Sequence, residues 1–159
     1  MWRNMSMREG SNLLAYRCMP CPFFVPRSKL GEGPWDPAPR LPLGEAWGGD
    51  CAAPGPASQA PEELEMRETC NTGYARGRCH RFPSNAEADA VRFSATRDGE
   101  GGLRVVFILE KDHAPLRHGL LIYSEGKFTG DPVESPLVEQ AKAFLGGLGV
   151  GIPACEPVY

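Results

Sequence analysis

Six cysteines, Cys18, Cys21, Cys51, Cys70, Cys79 and Cys155, are the residues of this 159-residue chain best suited to chemistry. Cys18-Met19-Pro20-Cys21 is a C-x2-C pair. Two intervening residues let both sulfurs turn toward one metal while backbone amides point at them. The next intervals are x29 to Cys51, x18 to Cys70 and x8 to Cys79. Thiolates repel one another, so gathering them requires a cation or an iron–sulfur core that neutralises them. A zinc ribbon would bring a second C-x2-C or an H-x3-5-H, and the chain has neither. An iron–sulfur cluster is large enough to be reached from several loops by one close pair and distant single cysteines. The spacing therefore predicts a [4Fe-4S] cluster held by Cys18, Cys21, Cys51 and either Cys70 or Cys79, in a structural or electron-carrying role. A structural Zn2+ on the same thiols is the alternative. An electron carrier would also need a protein redox partner. Cys155 reads as a small buried apolar residue.

The surroundings of the pair agree with this. Met19, Pro20, Pro22, Phe23, Phe24 and Val25 supply an apolar wall that limits solvent access to a cluster. Pro22 directly after Cys21 is similar to the Cys-Pro step that closes bacterial ferredoxin cluster motifs, although their C-x2-C-x2-C run is missing. A thioredoxin-like thiol–disulfide site would open a helix after a strand. Here Pro20, Pro22 and Pro26 crowd the motif instead.

Other constellations are less specific. Thr72 to Phe82 carries Arg76, Arg78 and Arg81 with Tyr74 and Phe82, and a single-strand nucleic-acid binder could stack bases there. The acidic balance of the chain favours a different use, arginines placed around an anionic thiolate centre or a nearby carboxylate. A nucleic-acid or protein-binding module built on Arg76–Phe82 is the rival of another class. His80 beside Cys79 could serve as a ligand or as a base. Glu110, Asp112, His113 and His118 form a second polar cluster with the residue types for metal or acid–base chemistry, but without a regular spacing. No G-x4-G-K-[ST] phosphate loop occurs, so nucleotide hydrolysis has no support. No catalytic constellation emerges, and if the protein is an enzyme its chemistry is redox.

Net charge is −3, with 17 Lys and Arg against 20 Asp and Glu. That argues against adhesion to nucleic acid or anionic membranes, which draws on excess cations. The longest strongly apolar run is Val105–Leu109, far short of a membrane span. Residues 1–18 lack the apolar core of a secretion signal, and a cytoplasmic location with reduced thiols is expected.

The elements that must position these groups fall into two halves. Residues 22–61 hold nine prolines and six glycines, which disfavour regular helix or sheet. Trp35, Leu41, Leu43 and Trp47 give this stretch buryable surface, whereas residues 54–60 read as a mobile loop. Pro61–Thr69 reads as a short helix with Glu62 and Glu63 at its positive end, delivering Cys70 to the site. Beyond it, Ala90–Arg97 and Leu103–Lys111 alternate as strands across an Asp98–Gly102 turn. Leu120–Tyr123 is a third strand after a loop over Asp112–Gly119. Pro136–Leu145 is an amphipathic helix, with Ser135 as its cap. The expected fold class is α+β: a small three-stranded antiparallel sheet with a C-terminal helix, plus an irregular Pro/Gly-rich, cysteine-containing N-terminal half. The boundary falls between a metal-binding region 1–83 and a sheet-plus-helix region 84–159, packed together as one domain.

Overall fold

A computed structural model describes residues 20–31, 43, 46–54, 60–131 and 135–147. Cys18, Cys155, Trp35 and Leu41 lie outside the described residues, as does most of the loop expected at 54–60. Two antiparallel sheets and a C-terminal helix give mixed α+β content. Strands β1 (Phe24–Lys29) and β2 (Trp47–Cys51) pair with each other. A short helix α1 (Glu63–Glu65) continues into a π-wound turn, Met66–Cys70. Then β3 (Ala90–Arg97), β4 (Leu103–Lys111), β5 (Ala114–Ser124) and β6 (Lys127–Gly130) form a sheet in chain order, followed by α2 (Ser135–Gly147).

Alternation explains the larger sheet. Val91 and Phe93 of β3, Val105, Phe107 and Leu109 of β4 and Leu121 of β5 are buried on one face. The register stacks Val91 on Leu109, Phe93 on Phe107 and Val105 on Leu121. Helix α2 packs chiefly on β1 and brings Leu137, Ala141, Phe144 and Leu145 into the same core, with the Phe144 ring 5.6 Å from that of Phe93. The same buried cluster takes in Cys21, Phe24, Leu43, Trp47 and Cys70, so one apolar core serves both halves.

The observed architecture corrects three expectations. The C-terminal sheet has four strands, not three, because Glu125 and Gly126 adopt left-handed φ values of 51° and 79° and turn the chain back into β6. Asp112–Gly119 is not a loop: Asp112 and His113, at φ 51° and 63°, make a two-residue turn and β5 starts at Ala114. Its first five residues, Ala114–His118, are all exposed and include Pro115, so they show no alternation of burial to mark a strand. Finally, the proline- and glycine-rich stretch contains the β1–β2 pair. Pro26 is tolerated because the register shifts between Pro26 and Ser28, where an irregularity relieves the missing N–H. Gly49 is required by the close approach of β1, since a Cβ there would overlap the Val25 carbonyl oxygen. Among the described residues no helix is long and apolar enough to cross a membrane.

Candidate functional site

Four cysteines reach one pocket from four separate segments. Cys21 lies in the turn before β1, Cys51 ends β2, Cys70 ends the π-wound turn, and Cys79 lies in the loop that follows. Phe23, Phe82, Pro61 and Ala75 supply apolar walls between them, and Glu65 and Arg81 the charged groups. Cys21 and Cys70 are buried, whereas Cys51 and Cys79 are half-buried, and all four are free thiols. Both Cys70 and Cys79 line the pocket.

Each segment is held by a specific tie. The Cys21 backbone N–H donates to the Cys70 carbonyl at 2.9 Å, coupling the first and third thiols directly. The Cys21 carbonyl in turn accepts from Phe24 N–H at 3.0 Å and from the buried Gln140 amide of α2 at 2.8 Å. Asn71, fully buried, acts as an extra partner for β2: its Oδ1 accepts from Trp47 N–H at 3.0 Å and its Nδ2 donates to the Trp47 carbonyl at 2.9 Å. Its Nδ2 also lies 2.6 Å from the Met66 carbonyl. Asn71 therefore fixes the end that carries Cys70 against the strand that carries Cys51. The Ala75 carbonyl accepts from Arg78 and Cys79 N–H at 2.9 and 2.8 Å, closing the turn that presents Cys79.

The electrostatics of the pocket favour neutral thiols. Burial pushes the Cys21 thiol up to about 12, against a hydrogen bond from the Phe23 backbone, and the neighbouring Cys70, Cys51 and Cys79 push it further the same way. Burial likewise raises Cys70 to about 12, with Cys51 and Cys79 adding to the effect and Thr69 opposing it. Among the described residues, the only cationic side chain lining the pocket is Arg81. Its Nη1 donates to Glu65 Oε2 at 2.7 Å. Burial acts to raise the Glu65 carboxyl, but the Arg81 hydrogen bond and charge outweigh it and hold it below the usual range. Among the described residues, no group of three or more His, Cys, Asp or Glu side chains is set to hold one metal ion. The four thiols share a pocket without converging on a point the size of an ion.

The remaining candidates are engaged elsewhere. Arg76 donates to Asp89 at 2.7 Å and to the Ser84 and Ala86 carbonyls, each at 2.9 Å, and it lies over the Phe82 ring. Arg78 donates to the Glu68 carbonyl. Tyr74 stacks on His113 at 4.2 Å and donates its hydroxyl to Glu110 at 2.8 Å, while Phe82 packs edge-on against Phe23. Of the three arginines in this loop, only Arg81 borders the thiols. His80 does not line the pocket; its exposed ring is 3.6 Å from Glu65. Glu110, Asp112, His113 and His118 do not assemble. Glu110 is buried with Arg92 and Tyr74, Asp112 binds Asp89 through its backbone, and exposed His118 pairs with Ile108 across the strands.

Sequence reasoning missed Glu65 as a pocket residue and Asn71 and Gln140 as its tethers. Nothing in the spacing marks the last two, because each acts on a partner distant along the chain. Comparison of the chain with known protein families, curated proteins and solved structures finds no match.

Proposed function

We propose that Cys21, Cys51, Cys70 and Cys79 hold a [4Fe-4S] cluster, in a structural or electron-transfer role in the cytoplasm. One observation carries this reading: thiols from four segments line one pocket walled by Phe23, Phe82, Pro61 and Ala75. Four neutral thiols bury little charge, but four thiolates need compensation that Arg81 alone does not supply. An iron–sulfur core provides it. A cluster is approached by its ligands from several walls of a pocket. Four sulfurs on one zinc ion, at Zn–S of about 2.3 Å, must converge to within roughly 3.8 Å of each other. A single zinc ion on the same four thiols is the alternative reading. As an electron carrier the protein would pass single electrons to a redox protein partner.

Anaerobic purification or reconstitution with iron and sulfide tests the proposal. The expected product is brown, with about four iron and four acid-labile sulfide per chain. Ser substitution at any of Cys21, Cys51, Cys70 or Cys79 should abolish the colour. A colourless protein holding one zinc per chain overturns the cluster, and wild-type iron in any of these four variants overturns the ligand set.

A further inference from the structure

Two strands of the larger sheet are apolar at every position for part of their length, Val105–Leu109 in β4 and Leu120–Tyr123 in β5. A strand that borders a core on one side alternates apolar and polar residues, whereas an unbroken apolar run fits a strand covered on both sides. Val105, Phe107, Leu109 and Leu121 belong to the core already described. Val106, Ile108, Leu120 and Ile122 alternate with them and point to the opposite side. The register sets Val106 across from Leu120, with Ile108 and Ile122 on the diagonal, so the four form one oblique patch. All four are half-buried, and among the described residues none belongs to the core cluster or packs against it.

The border of this patch is cationic. Arg104 pairs with Ile122, and Lys127 with Ser124, on the same side of the sheet. Neither forms an ion pair among the described residues. Three acids on or beside these strands are engaged already: Glu110 with Arg92 and Tyr74, Asp131 with the Leu120 N–H, and Asp98 with the N–H groups of its own turn. Glu100 and Glu125 sit in the turns beyond the strand ends. A chain of net charge −3 thus carries an apolar patch edged by two cations. Tyr123 and Phe128 face the core instead, so the patch offers no ring for stacking bases or anchoring at a membrane interface. A second copy of the chain would set like charges against each other.

We infer that this side of the sheet is a docking surface for a protein partner that brings an amphipathic helix with acidic flanks. Its apolar stripe seats on Val106, Ile108, Leu120 and Ile122, and its carboxylates meet Arg104 and Lys127. The surface is independent of what fills the thiol pocket.

Two synthetic amphipathic helices test this, sharing one leucine stripe and flanked by glutamates in the first and by lysines in the second. Titrated into the isotope-labelled full chain, the glutamate peptide should shift the amide resonances of residues 104–108 and 118–122. Its affinity should exceed that of the lysine peptide by about tenfold or more and fall as salt rises. Arg104→Glu should weaken the glutamate peptide by about tenfold and strengthen the lysine peptide. Ile108→Thr should weaken both, with the rest of the spectrum in place, because its side chain does not enter the core. If Ile108→Thr does not fold, Arg104→Glu alone decides. No shift at millimolar glutamate peptide, shifts confined to other residues, or equal affinity for the two peptides overturns the assignment. A concentration-dependent dimer that protects the same amides overturns it too, since the occupant is then a second copy.

Discussion

Between Ala90 and Gly130, each strand is joined to the next by a backbone ladder and a tight turn, and β3, β4 and β5 share an apolar inner face. Between Pro20 and Phe82 there is one short ladder, β1–β2, and single side chains tie the rest. Asn71 stands in as a neighbour for β2, Arg76 gathers Asp89, Ser84 and Ala86, and Arg67, 3% exposed, binds Glu63 and the Gly31 carbonyl. The sheet is built from many near-equivalent ladder contacts between strands adjacent in the chain. The cysteine half has the one β1–β2 ladder, and beyond it depends on single side chains, among them Asn71 to Trp47 and Arg67 to Gly31. Losing one rung costs the sheet little, while losing one tie releases a whole segment of the other half. Such a region gains most from a cross-link that joins four segments at once.

The largest effect should come from removing that cross-link. Stripping metal from the loaded protein with a chelator is expected to speed amide hydrogen exchange across residues 20–31, 46–54 and 60–82 by orders of magnitude. Protection in β3, β4 and β5 should stay within a fewfold of its starting value, because their ladder is local. Equal loss in both regions would show that they unfold as one unit and erase the contrast. Next in size is Asn71→Ala, which leaves the buried Trp47 N–H and carbonyl without their partner; a cost of about 2–5 kcal/mol is expected in denaturant unfolding of the metal-free protein. A loss under about 1 kcal/mol would mean that β2 does not depend on this side chain.

The smallest is a pH effect at the junction of the halves. Burial acts to raise the Asp89 carboxyl, but the Asp112 N–H and the Arg76 guanidinium prevail and hold it below its usual range. A carboxylate depressed by folding contributes stability that is complete above its unfolded pKa of about 3.9 and is lost as pH falls through the lower folded value. Asp89→Asn should therefore cost about 1.5–3 kcal/mol at neutral pH, and the gap from wild type should narrow below about pH 4. A gap that does not change with pH would remove the charge of Asp89 from the account.

How far the sequence discloses this molecule follows the same division. The bounds Ala90–Arg97 and Leu103–Lys111 can be read from alternation alone, since period-2 burial is a local signal. The C-terminal helix is legible for a similar reason, from the spacing of Leu137, Ala141 and Phe144. Strand β6 is short, four residues with little burial, and its alternation is too brief to notice. The β1–β2 pair is invisible because Pro26 and Gly48-Gly49 are poor strand formers, justified only by the partner each meets. Cysteine spacing marks the thiols as candidates, but their common pocket depends on ties such as Asn71 to Trp47, about which neither residue type nor spacing says anything.

The Gln140 amide also donates to the Phe24 carbonyl at 2.7 Å, so both carbonyls flanking the Cys21 turn are clasped by a residue 119 positions beyond Cys21. At a synthesis rate of about 5–20 residues per second, the ribosome needs roughly 6–24 s to make that residue after Cys21. Until then the Cys21 turn exists without its clasp, and the pocket that the turn helps to line is not yet closed on that side.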